Sequence, residues 1–528
     1  MILLFLLAVW LGRERHLLPV LAVAALLILI HNPRALFDIS FQLSYVSVLA
    51  IALILNWRSR DDQGGTFVPD STSWTVGRWL SQYAWITGGV TLATIPLVAH
   101  YFNQIAWLGF VTNLVVIPLA GLVLVPLGLG SAVWLLLFGG DSLPAGHLNQ
   151  ALLDWLANAM RLLARVPLAE WHVASPAIPA IVIFYVLLYT AGRPGGKTTL
   201  RWGAALSATL LLGWWSWSPR SLSDGENLRV TFLDVGQGDA SLIELPDGQT
   251  VLIDAGAAYD TLDMGRAVVA PYLWDRGIKR LDHVIGTHPQ LDHVGGLPWI
   301  LRSFQIGQYW GNGIARDEPF YQRMQDAIRE RGLRERMAGE GQAVLDSGPC
   351  WLTILNPPAS HRSDGSFSQS AKSGSLLNNL SIVTRLDCGP HSFLFTADIE
   401  VEAIARLSKA NTAGLVRVLK VPHHGASSSL YPSWIEQMGV ETAVISVGSH
   451  NSYGHPATAV LAAYEKEGVH LWRTDKQGAI WVIAKLSSAD LEIRTARDSL
   501  PRPVRVGPSL LVSERLNLIR FLSQWMGP

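Results

Sequence analysis

"GTHPQLDHVGG", residues 286–296, is the stretch on which the fold turns. It closes an apolar, strand-like run, "LDHVI", and sets His288, Gln290, Asp292 and His293 within six residues, ahead of two glycines. A strand that ends in such a turn carries its polar side chains to one edge of a sheet, where other loops can meet them. Imidazole and carboxylate together suit Zn2+, Mn2+ or Fe2+, and no thiolate is on offer to prefer zinc.

The same grammar recurs on both sides. "LRVTFLDVGQGDASLIELPDGQTVLIDAG" from Leu228 reads as antiparallel strands joined by turns, with Asp254 closing its last strand. Asp398 follows "FLFT", His423 and His424 follow "VLKVP", and "SHNSYGHP" with His450, Asn451 and His455 follows "VISVG". Helical stretches are expected near 264–274, 294–303, 319–331, 399–409 and 456–467, so residues 219–486 read as an α/β sandwich. Two ions sharing Asp398 would lower the pKa of a bridging water to about 7. His423 and His424 compete for one inward place, because adjacent side chains do not readily point the same way. Asp234 and Asp239, flanking "GQG", either cap turns or join the site. His16, His147, His172 and His361 read as packed or surface histidines, and "RERGLRERMAGE" at 329–340 as a solvated face or loop. Cys350 and Cys388 match no zinc-ribbon spacing; they read as two buried thiols, with one disulfide as the alternative in an oxidising compartment.

Residues 1–218 differ in kind. The whole chain is 16% charged, well below the roughly 25% usual in soluble domains, and the deficit lies in this half. Net charge is zero, so no global field recruits a polyanion. Apolar runs at 1–12, 17–31, 38–57, 79–101, 105–120, 121–139, 178–192 and 202–218 are expected to span a membrane, the pair at 105–139 as a hairpin or as one longer broken segment. With eight spans, Arg13, Arg15, Arg58, Arg60, Arg78, Arg193, Lys197 and Arg201 share one side, and Arg34, Arg161 and Arg165 the other. The positive-inside rule then puts the α/β domain on the outer face. Asp38 and Gln42 near one span read as path-lining groups or, for Asp38, as a helix cap. Asn113 reads as an interhelical hydrogen-bonding group or a path residue. Residues 146–165 read as an amphipathic helix, either along the membrane surface or within the bundle. The tail, 487–528, reads as disordered or as a short amphipathic helix carrying Leu516, Leu518, Phe521, Leu522 and Trp525.

"DVGQGD…LIDAG", "THPQLDHVGG", "FTADIE", "LKVPHHGASSS" and "SVGSHNSYGHP" together resemble the metallo-β-lactamase-like domain of the ComEC family, the bacterial DNA-uptake proteins. "FDISFQLSYVSVLAI" and "WLGFVTNLVVIPLAGLVLVPL" resemble that family's membrane domain. The resemblance implies a polytopic α-helical membrane domain followed by an αββα sandwich. It implies passage of single-stranded DNA across the cytoplasmic membrane, and a nuclease that degrades the strand not imported. Carried over, the metal ligands are His288, Asp292, His293 and Asp398, with His424 and His455 as further ligands or phosphate-facing groups. Asn378, Asn379 and Ser381 match a polar, site-supporting element. The cofactor is one or two divalent ions, Mn2+ or Zn2+. The implied partners are single-stranded DNA, membrane lipid, a DNA receptor, a cytoplasmic helicase or single-strand-binding protein, and another copy of the chain. Two departures stand out. Gln290 occupies a position where the family has a histidine or aspartate, and an amide is a poor ligand. The family's earlier helices and OB-like domain have no counterpart, so the chain reads as amino-terminally truncated. Two alternatives accompany the uptake-and-cleavage reading: a DNA channel whose lactamase-like domain binds without cutting, and a membrane-anchored hydrolase of small molecules.

Overall fold

The structure is a computed structural model that describes residues 17–61, 76–140, 142–164, 166, 169–193, 197–217, 225–359 and 374–497. The chain divides into two compact units, Met1–Ser218 and Pro219–Pro528. Readings placed on His16, His361 and residues 498–528 lie outside the described residues.

The first unit is helical. Ile39–Trp57 and Leu108–Phe138 are long and apolar enough to cross a bilayer, and Leu18–His31 and Ile178–Gly192 are shorter apolar helices. Val76–Phe102, Gly146–Leu163 and Thr198–Trp217 complete the helices among the described residues. Of the two readings of 105–139, the hairpin gives way to the longer broken segment, a single helix Leu108–Phe138. Pro118 and Pro126 each lack an amide proton, and the π turn Ala120–Leu124 between them lets the helix run on. The merger also removes the basis for the orientation. If the other apolar runs of the sequence do span, Arg161 and Arg165 join the side of Arg13, Arg15, Arg58, Arg60 and Arg78, and the charge rule points the other way.

Asp38 stands as the cap of Ile39–Asp61: its Oδ1 accepts from the Ser40 amide at 2.7 Å, and its carbonyl accepts from the Gln42 amide. The Gln42 side chain donates to the Leu36 carbonyl and accepts from the Tyr101 hydroxyl at 3.1 Å, tying two helices together. Asn113 makes a separate interhelical contact through its backbone, whose carbonyl accepts from the Tyr83 hydroxyl at 2.7 Å.

The second unit is two sheets packed face to face with helices outside. In the first, the strands run in the spatial order Leu491–Thr495, Ile480–Lys485, Asn227–Phe232, Ser241–Glu244, Thr250–Ile253, Arg280–Gly286, Gln305–Gly311 and Glu335–Met337. In the second, the order is His470–Arg473, Thr442–Ile445, Val418–Lys420, His391–Phe395, Val383–Cys388, Cys350–Asn356 and Ala343–Ser347. Each sheet pairs antiparallel at one end and parallel at the other. Phe232, Ile243, Trp310, Leu352, Phe393 and Val482 fill the layer between the sheets. Leu252, Leu273, Leu297 and Phe304 seal helices onto the first sheet, and Leu394, Leu407, Trp434 and Tyr464 seal helices onto the second. That is an αββα sandwich.

Three local expectations are corrected. Glu335–Met337, inside the largely exposed stretch read as a solvated face or loop, is an edge strand rather than a loop, paired parallel to Gln305–Gly311, with the Arg336 guanidinium 4.8 Å above the Trp310 ring. The sheet continues past residue 486, because the alternating stretch Leu491–Thr495 pairs with Ile480–Lys485. Cys350 and Cys388 sit directly opposite on neighbouring strands and form a disulfide, in place of two free thiols.

Candidate metal centre

Parallel strands of both sheets end at one edge, and the chemistry collects there. Asp254 follows Thr250–Ile253, and Thr287 to His293 follow Arg280–Gly286. Asp398 follows His391–Phe395, and His423 and His424 follow Val418–Lys420. The loops are tightly held. Gly238, at φ +135°, lies so near the Asp292 carbonyl that a Cβ there would collide with it. Among the described non-glycine residues with positive φ are Asp254, Ala397, His423 and His424, all in these loops. Such backbone is costly and persists where the surrounding structure demands it.

Asp292, His293, Asp398 and His424 bring one ligand atom each within 4.8 Å of one another. His293 Nε2 lies 3.1 Å, and His424 Nε2 3.4 Å, from Asp398 Oδ2; His424 Nε2 lies 3.6 Å from Asp292 Oδ2. The other ring nitrogen of each histidine is committed. His293 Nδ1 donates to Asp254 Oδ2 at 2.8 Å and His424 Nδ1 to the Ser446 carbonyl at 2.8 Å. The Thr287 hydroxyl gives its proton to Asp254 Oδ2 at 2.7 Å, so His288 Nδ1, 3.0 Å from that hydroxyl, is the donor to it. His293 and His424 thus turn Nε2 toward the carboxylates, while His288, expected as a ligand, falls outside the four-residue group. All three Nε2 atoms, with Asp398 Oδ1 and Asp239 Oδ1, are buried without a hydrogen-bond partner. Buried polar atoms are rarely left so, and the His293 and His424 nitrogens beside Asp398 are what a cation would satisfy. The residues present therefore fit a divalent ion held by Asp292, His293, Asp398 and His424.

The electrostatics agree. Burial opposes charge on His424, yet Asp398 and Asp239 raise its pKa to about 10. Burial likewise opposes charge on His293, and Asp398, Asp254 and Asp292 raise it well above the ordinary imidazole value. Burial works against Asp398 too, but His293 and His424 hold it well below the usual carboxylate range. Protons on these two imidazoles balance the carboxylates around them. His288, buried and facing His293, is pushed down to about 3.

The remaining expected residues fall around this group. His424 takes the inward place. His423, with its side chain 21% exposed, sits at the mouth, with Nε2 3.8 Å from Asp398 Oδ2 and Nδ1 3.3 Å from Glu400 Oε1. His455 stands outside the ligand group, its ring 5.8 Å from that of His423 and stacked on exposed Tyr453. Asn451 ties the loop, accepting from the His455 amide and donating to the carbonyls of Gly448 and His455. Asp234 caps its turn through the Gly236 amide. Asp239 reaches the centre, 3.6 Å from His424 Nδ1. Gln290 donates to Asn378, Asn378 donates to Glu400, and Asn379 accepts from the amides of Glu400 and Ala403.

Lys420 escaped the sequence reading. It is buried in the centre, its ammonium against Asp239 Oδ2 and donating to the Ala397 carbonyl at 3.2 Å. The signal was its place as the last residue of an apolar strand directly before "VPHH". Glu400, two residues after Asp398, was missed for the same reason: its partners come from distant loops.

Profiles of known families match both units. The competence protein family matches residues 1–195, and the metallo-beta-lactamase superfamily matches residues 233–450. ComE operon protein 3 of Bacillus subtilis (strain 168) is 26% identical over 470 residues, covering 86% of this chain and 56% of that protein. Competence protein ComA of Neisseria gonorrhoeae is 26% identical over 461 residues, covering 86% and 57%. The uncharacterized protein YcaI of Escherichia coli (strain K12) is 27% identical over 506 residues, covering 90% and 57%. The chain spans a little over half the length of these relatives.

Proposed function

Because this chain joins a competence domain to a metallo-β-lactamase domain and so belongs to the ComEC family, we propose that it serves DNA uptake: the helical unit passes single-stranded DNA across the cytoplasmic membrane, and the sandwich hydrolyses the strand left outside. The observation that carries the hydrolytic part is the convergence of His293 and His424 Nε2 with Asp292 and Asp398, each imidazole locked by a partner on Nδ1. A divalent ion bound there supplies a water activated near neutral pH and a positive charge facing a phosphate oxygen. The chain's own groups do the rest. Asp292, the ligand with its side chain 27% exposed, marks the open side from which a phosphodiester approaches. His423 stands at that mouth within reach of a phosphate oxygen. The Tyr453–His455 stack beside it offers a flat face to a base, and such stacking tolerates any sequence.

Membrane residence is supported by the two long apolar helices, of whose spanning windows only 6% is buried in the protein. A soluble core helix would be covered. An apolar surface of that extent calls for lipid or partner helices. Placement of the sandwich outside the cytoplasm is supported by the Cys350–Cys388 disulfide, since such bonds persist in oxidising compartments.

The purified chain in detergent, loaded with Mn2+ or Zn2+, is expected to cut labelled single-stranded DNA. Asp292→Ala with His293→Ala is expected to abolish cutting. A metal-loaded chain that binds DNA and leaves it intact would replace this reading with that of a DNA-binding, non-cleaving domain. That second reading draws on Gln290, whose amide is engaged with Asn378.

A further inference from the structure

We propose that the centre holds one divalent ion rather than two, and that the ammonium of Lys420 stands where a second cation would otherwise lie. The inference rests on the metal-centre reading above and deepens it. Its first support is spatial. Lys420, with its side chain 3% exposed, touches Asp239 Oδ2 and lies 3.8 Å from Asp398 Oδ1. A second cation drawn to those two carboxylates would compete with the ammonium for the same oxygens. Its positive charge would face Lys420 at contact distance, with little water between to screen the repulsion.

The second support is the ligand inventory. The four ligand atoms that cluster account for one ion. The other cluster, Asp239, Asp254 and His293, is already engaged: Asp239 Oδ2 with Lys420, Asp254 with Thr287 and His293, and His293 Nδ1 with Asp254. Gln290, where the sequence resemblance would put a further ligand, offers only an amide, and its nitrogen donates to Asn378. An amide is a weak claim on a first-row cation. His288 Nε2 is left to accept a hydrogen bond from a water or from substrate.

Lys420 is therefore a positioning residue. It neutralises Asp239 and steadies Asp398 without itself touching the reacting atoms. The test counts ions and needs no DNA. The full chain, dialysed against excess Mn2+, is expected to hold one ion per chain by elemental analysis, and its electron paramagnetic resonance to show the hyperfine pattern of isolated Mn2+. Lys420→Met is expected to take up a second ion and give an exchange-coupled signal, whereas Lys420→Arg stays at one. Two ions in the unaltered chain, or one ion in a folded Lys420→Met chain, would overturn the proposal. A chain that holds no ion would instead sink the metal-centre reading beneath it. Because the unaltered chain's own count is decisive, the proposal remains exposed even if Lys420→Met fails to fold.

Discussion

The imidazole of His293 is held at both ends, by Asp254 on Nδ1 and by the ligand group on Nε2. Asp254→Asn keeps the shape and removes the carboxylate that fixes the tautomer. Metal affinity is expected to fall by about 10–100-fold, read by equilibrium dialysis, with the fold intact by circular dichroism. Protonation makes a second prediction. In the ion-free chain Asp398 and Asp239 raise His424 to about 10 against the pull of burial, and His293 is also raised, so both imidazoles favour a second proton. An entering ion must expel those protons. Apparent affinity is thus expected to rise with pH, about tenfold per unit for each proton released, and to fall as the medium is acidified. Calorimetry in buffers of different ionisation enthalpy counts the protons; a pH-independent affinity would contradict the assignment.

At the scale of elements, strand ends and the turns that follow them are the working parts. Gly238→Ala would force a side chain into φ +135° and against the Asp292 carbonyl. A cost of about 1–3 kcal/mol is expected in unfolding experiments, with a loss of metal binding, because the same turn carries Asp239. The Cys350–Cys388 bond joins strands across a sequence separation of 38 residues, far from this edge in chemical role. Cys350→Ala with Cys388→Ala is expected to cost about 2–4 kcal/mol and to leave metal stoichiometry unchanged. Thermal unfolding under non-reducing conditions measures the first, and elemental analysis the second.

For the whole molecule, the question is on which side of the membrane the sandwich lies. The charge rule reversed when 105–139 proved to be one helix, while the disulfide favours the outside. Reporter fusions after residue 497 are expected to be active in the form that requires export, and Cys350–Cys388 to be oxidised in cells. A reduced pair with a cytoplasmic reporter would count against the proposed coupling of hydrolysis to DNA uptake. Each unit is compact by itself. Uptake of single strands is accordingly expected to survive Asp292→Ala, with cleavage alone lost, as measured by transformation beside a nuclease assay.

Periodicity and turn chemistry are local, and what they dictate was legible without coordinates. The runs "LDHVIGTH", "SFLFTAD" and "TAVISVG" carry strands bounded by turns, and the apolar composition of the first half separates it from the second. The positions of His288, Asp292, His293, Asp398 and His424 at strand ends also follow from the chain itself. Short edge strands such as Glu335–Met337 do not, because their pattern is set by a neighbouring strand and not by an apolar face of their own. Nor could spacing tell His423 from His424, reveal that Pro118 and Pro126 interrupt a helix without ending it, or bring Lys420 against Asp239. Those outcomes depend on which distant groups arrive at the same place. Hydrogen bonds, charge pairing and excluded volume act through space, and only the packed tertiary structure supplies the distances over which they act.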